Sequence, residues 1–196
     1  LSWGFLTAGI LLGAYWAYIE LGWGGYWAWD PVENASLLPW LVGTAYLHSV
    51  MAQKKEGLFR RWNFALIILT FELCIFGTFL TRSGIVSSVH AFADSNMGPL
   101  FLIFLGTSSV LSCVLLLWRA PQTRPDKTVS SLASREGIFL MLNALFLALT
   151  LAVLGHLGLD LFDVGLQRGV GHQREAFTVP GDRLGKPALR LQCFTV

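Results

Sequence analysis

Five stretches of this chain approach the length and apolarity of a membrane crossing: 1–22, 37–52, 62–80, 98–118 and 137–158. Crossing a hydrocarbon core of ~30 Å takes about 20 predominantly apolar residues. Lipid offers no partner for backbone N–H and C=O groups, so such runs fold as helices that satisfy their own. The competing reading, buried helices of a soluble bundle, needs charged or polar faces at helical period. The run from Phe64 to Phe79 carries Glu72 as its one charge and no polar stripe. Charged residues make up 13% of the 196 positions and hydrophobic ones 54%, where a soluble domain carries about 25% charge. The expected fold class is therefore all-α: a polytopic transmembrane helix bundle of about five spans, with an external tryptophan-rich loop and short interfacial helices.

Sidedness follows from the connections. Lys54, Lys55, Arg60 and Arg61 crowd the second one, and Arg119, Arg124, Lys127 and Arg135 crowd the cytoplasmic loop 119–136. Short basic loops stay in the cytoplasm. The connections 23–36 and 81–97 hold one basic residue, Arg82, beside Asp30, Glu33 and Asp94, and are expected on the opposite, periplasmic face. The net charge of +2 gives no argument for nucleic acid. Cys74, Cys113 and Cys193 are too far apart for a metal or disulfide motif, and the first two lie within spans. From about Gly155 the texture changes, and 159–196 reads as an atypical tail, weakly ordered or miscoded, to which no function is attached. The chain opens without Met and inside an apolar run, which reads as a fragment.

The loop 23–36 concentrates Trp23, Tyr26, Trp27 and Trp29 within seven positions, among Gly22, Gly24 and Gly25. An aromatic belt at the membrane surface is one account. A belt needs no glycines, however, and glycine is kept where backbone bends or approaches something closely. Aromatic faces with accessible backbone suit a flat apolar ligand. Asp30, Pro31 and Glu33 form a helix start, with Asp30 as N-cap, Pro31 at the first helical position and Glu33 completing a capping box. Asn34 and Ser36 read as polar residues of the first turns.

The string WGGYWAWDPVENASLLPWL resembles the signature of the haem-handling protein family of cytochrome c biogenesis, whose tryptophan-rich (WWD) domain binds haem. TRSGIVSSVHAFA at 81–93 is similar to its haem lyase branch, the CcmF and NrfE type. The resemblance runs from about Leu1 to about Ala152, including SREGIFLMLN at 134–143. It implies a haem-contact surface formed by Trp23, Gly24, Gly25, Tyr26, Trp27, Trp29 and Asp30.

His48 stands ~25 Å along the helix from Pro31 at ~1.5 Å per residue, so one haem cannot touch both His48 and the loop. From the residues alone it is a ligand or a histidine bonded to a carbonyl near a helix end. His90, in the connection 81–97, is from its residues a solvated polar group or a group aimed along the membrane surface. The resemblance implies that His48 is an axial ligand of a buried b-type haem and that His90 ligates the substrate haem at the tryptophan loop. It also implies that the second ligand of each lies outside this chain. His156 and His172 fall at or beyond the end of the resemblance and are left without a role. Arg82 is open between a haem propionate and an interfacial anchor, and Glu72 is unassigned.

No Cys-x-x-Cys-His segment is present, so the acceptor of haem is another protein. The resemblance implies a haem chaperone as donor, apocytochrome c as acceptor, other cytochrome c maturation subunits and the lipid membrane as partners, with membrane quinol as electron source. The implied location is the bacterial inner membrane, or the mitochondrial one if the chain is organellar. The protein is then a component of a haem lyase that supplies position instead of an acid or base. Three other readings stand beside it: a haem exporter or chaperone-loading subunit, a non-functional remnant, and an ion or solute transporter subunit. The last predicts spans interrupted at Pro39, Gly43 or Gly77.

Overall fold

The structure, a computed structural model, describes residues 1–22, 24–56, 59–86, 88, 97–123 and 134–176, to the backbone only at 54–56, 135–136 and 167–176. Among these residues there are five helices and no strand: α1 (Ser2–Glu20), α2 (Pro31–Glu56), α3 (Arg60–Arg82), α4 (Gly98–Trp118) and α5 (Arg135–Ala176). The protein is an all-α helical bundle. α3, α4 and the stretch 137–166 of α5 are long and apolar enough to cross a membrane. α1 and α2 fall short of that measure. Trp3, Tyr15, Trp16, Tyr18 and three glycines dilute the first, and Asn34, Thr44, His48, Ser49 and the basic end dilute the second. α5 runs on to Ala176, past the break in texture near Gly155, because no proline interrupts 135–176.

α2 is the hub. It packs against α1, α3 and α5, while α4 packs against α3 alone. A helix covered on several sides loses its polar face, and Ala35, Leu38, Leu41, Val42, Ala45, Ser49 and Ala52 of α2 are all buried. Leu66, Leu73, Phe79 and Leu80 from α3 and Val153 and Leu157 from α5 complete the core. α2 continues through Pro39 and Gly43, and α3 continues through Gly77, so the interruptions that a transporter reading asks for are absent among the described residues.

Polar groups fasten the remaining interfaces. Trp3 Nε1 donates to Thr44 Oγ1 at 2.9 Å and Trp40 Nε1 to Thr7 Oγ1 at 2.9 Å, and the two indoles stack at 6.0 Å. This reciprocal clasp joins α1 to α2. Between α3 and α4, Glu72 Oε2 accepts from Ser108 Oγ at 3.1 Å and Ser109 Oγ at 3.0 Å. The bundle has two distinguishable ends. Arg61 donates to the Ala120 carbonyl at one, and Ser88 Oγ donates to Asp30 Oδ2 at 2.7 Å at the other.

Candidate functional site

The tryptophan loop sits at the second end. Gly22 and Gly24 have φ of +63° and +71°, the left-handed region that glycine enters without a Cβ clash. They turn the chain between α1 and α2, which gives the glycines the backbone role expected of them. The α2 start is built as its residues dictate. Val32 N donates to Asp30 Oδ2 at 3.0 Å, and Glu33 Oε2 accepts from Asp30 N at 3.3 Å and Ala28 N at 3.0 Å.

The aromatic rings of the loop separate. Tyr26 stacks on Tyr18 of α1 at 4.6 Å and is 56% exposed. Trp27 lines, together with Gly9, Gly13 and Ser36, a groove of about 210 Å³ between α1 and α2. Its Nε1 is buried without an acceptor among the described residues. Trp29 turns the other way, 53% exposed, with its ring 5.9 Å from that of His156 on α5. It borders a cleft of about 440 Å³ with Asp30, Val86, His156, Asp160 and Asp163. His156 Nδ1 is 3.2 Å from Asp160 Oδ2. Trp23 and His90 lie outside the described residues.

Two features of this face escaped the reading of the sequence. His156, set aside there, shares the cleft with Trp29. Asn34, read as a polar first-turn residue, is fully buried and donates from Nδ2 to the Trp29 carbonyl at 2.8 Å. Trp29 itself has φ +60°. An Asx side chain following a Trp-Asp-Pro turn was the one available signal.

His48 occupies the opposite half of α2. Its Nδ1 donates to the Thr44 carbonyl at 2.8 Å, and its ring lies on Phe146 at 5.7 Å and near Phe139 at 6.5 Å, both from α5. A carbonyl only accepts, so Nδ1 carries hydrogen and the lone pair of the neutral ring sits on Nε2. Nε2 has no hydrogen-bond partner among the described residues. This is the tautomer of a metal-binding histidine whose other nitrogen is held by a carbonyl. The donor chemistry fits an iron porphyrin at both places: an imidazole with a free Nε2 inside the bundle, and exposed indole and phenol faces on the loop. No group of three or more His, Cys, Asp or Glu side chains suited to a bare metal ion occurs among the described residues.

Fold and site together define a multi-pass helical membrane protein with an aromatic loop at one end and a part-buried histidine toward the other. The profile of the family described as "Cytochrome C assembly protein" matches residues 1–86. The chain is 51% identical over 155 residues to a probable cytochrome c-type biogenesis protein NrfE of Escherichia coli (strain K12), covering 78% of this chain and 28% of that protein. It is 47% identical over 171 residues to the cytochrome c-type biogenesis protein CcmF of the same strain, covering 87% and 26%. A solved structure of "Cytochrome c Heme Lyase CcmF" aligns with a TM-score of 0.61 at 42% identity, over 78% of this chain and 22% of that one. Over the residues it shares with these proteins, the chain is CcmF- and NrfE-like, with the likeness of a cytochrome c biogenesis protein. It spans about a quarter of the length of the curated relatives it matches.

Proposed function

We propose that this chain forms part of a haem-handling membrane subunit of cytochrome c maturation, a component of a haem lyase system. Its tryptophan loop and His90 hold the substrate haem at the periplasmic face of the bacterial inner membrane, and His48 ligates a buried b-type haem. The observation that carries the reading is the bond between Ser88 and Asp30. It fixes the second external connection to the N-cap that ends the tryptophan loop. His90 follows Ser88 by two residues, a reach of at most ~7 Å of chain. That bond supports a reading in which the tryptophan loop and the second external connection serve one ligand.

The loop residues contribute placement. Exposed Trp29 supplies a face for a porphyrin at its cleft, and Asp30 anchors the connection that leads on to His90. Holding haem beside the thiols of apocytochrome c turns a bimolecular addition into a local one. A haem chaperone, further maturation subunits and apocytochrome c are the partners this role requires. The b-type haem would supply one-electron chemistry between membrane quinol and the substrate haem; this chain holds its imidazole in the metal-binding tautomer through Thr44.

Absorption spectra of purified full-length protein, with and without reductant, test the reading. His48→Ala is expected to abolish the b-type spectrum while externally added haem still binds, and His90→Ala to do the reverse. Loss of neither signal in either variant overturns the assignment. The exporter reading shares the loop but has no use for the 81–93 motif, so indifference of haem attachment to His90→Ala favours it.

A further inference from the structure

We propose that Asn34 is a positioning residue for the external site, clamping the Trp29–Asp30 peptide so that the Trp29 indole faces the cleft it shares with His156. This rests on the reading of the loop as a haem-contact surface. Trp29 adopts φ +60°, where the Cβ of an L residue crowds its own backbone. A bulky residue persists there only when its surroundings over-determine it. Those surroundings are visible. The peptide unit after Trp29 is gripped at both ends from one helical turn: its oxygen accepts from Asn34 Nδ2 at 2.8 Å, and its N–H donates to Glu33 Oε2 at 3.3 Å.

Glu33 is explained by the capping box. Asn34 is not, since the helix start is already served by Asp30 and Glu33. Asn34 also carries a cost: it is 0% exposed, and its Oδ1 is buried without a partner among the described residues. A half-satisfied buried amide weakens a fold compared with an apolar residue of the same shape. What the protein gains is orientation: a strained Trp29, more than half exposed, turned toward α5 while its neighbour Trp27 turns toward α1.

The test uses full-length protein in detergent, titrated with ferric haemin, in a double-mutant cycle of Asn34→Ala and Trp29→Gly. Asn34→Ala is expected to weaken haemin binding about ten- to hundredfold, the range for groups that orient a ligand-contacting side chain. The b-type spectrum assigned to His48 stays unchanged. In the Trp29→Gly background, where no strained indole is left to orient, the same substitution changes affinity less than about twofold, within cycle error. Asn34→Asp, which keeps the volume and replaces the donor by an acceptor, gives the same pattern and serves if the alanine variant fails to accumulate. Unaltered affinity in both Asn34 variants, or an equal loss in both backgrounds, overturns the proposal and leaves the haem-contact reading standing. If unsubstituted protein binds no haemin outside the His48 site, both fall together.

Discussion

Gly77 of α3 lies against the carbonyl of Ala35 in α2. A Cβ built on Gly77 meets that oxygen at 3.4 Å and the Ala35 side chain at 3.6 Å. The carbonyl is one that helix geometry would give to residue 39, and residue 39 is a proline without an N–H. The glycine thus lets α3 close over an acceptor left open by α2, in the manner of the Cα–H···O contacts found where helices approach closely. Gly77→Ala is expected to be nearly neutral, because 3.4 Å is ordinary contact. Gly77→Leu has no room and should destabilise by about 1–3 kcal/mol, read as a lower thermal midpoint in detergent. Equal midpoints for the two variants would contradict this packing.

The clasp between α1 and α2 predicts a graded response. Trp3→Phe keeps the ring near Trp40 but removes the donor to Thr44, and a single interhelical hydrogen bond in a membrane protein is worth roughly 0.6 kcal/mol. Thr44→Val removes both that acceptor and the hydroxyl bond to the Trp40 carbonyl, so it should cost more. The Thr44 backbone carbonyl still orients His48, so any b-type spectrum should survive both changes. Thermal unfolding followed in parallel with the absorption spectrum separates the two effects.

For α4, the carboxylate of Glu72 is the polar tie to the bundle. Replacing Ser108 and Ser109 together by Ala leaves that part-buried acceptor unmatched, at about 1–3 kcal/mol. Glu72→Gln retains an oxygen for both serines and is expected to stay near the parent. Cysteine cross-linking between α3 and α4 should fall in the double alanine variant and persist in the glutamine one.

Asp30→Ala removes the cap on α2 and the acceptor of Ser88 in one step. Cap loss costs about 1 kcal/mol. Hydrogen exchange is expected to quicken at the amide of Val32, and haemin affinity at the loop should drop because the connection carrying His90 is released. Faster exchange with unchanged affinity would divide the capping role from the site.

The parts legible in the sequence were those with a local cause. Apolar length announces helices, and the Asp-Pro-x-Glu start of α2 declares its own capping bonds. What stayed hidden depends on chain segments far apart. Nothing in the string tells that Trp3 reaches Thr44, 41 positions away, or that Ser108 and Ser109 serve Glu72. The loop was read as one aromatic surface, whereas Tyr26, Trp27 and Trp29 go to three surroundings set by φ values that residue type does not announce. Asn34 was hidden for the opposite reason: a polar residue in a first turn has a sufficient local excuse, and only its burial beside a strained Trp29 shows another use.

Because α2 runs unbroken from Pro31 to Glu56, the aromatic end and the imidazole of His48 are mounted on one stiff rod and keep a fixed spacing. A porphyrin cannot be handed along such a rod by flexing it. On the proposed two-haem reading, the macrocycles would stay at their own ends of the rod, and an electron would be what passes between them.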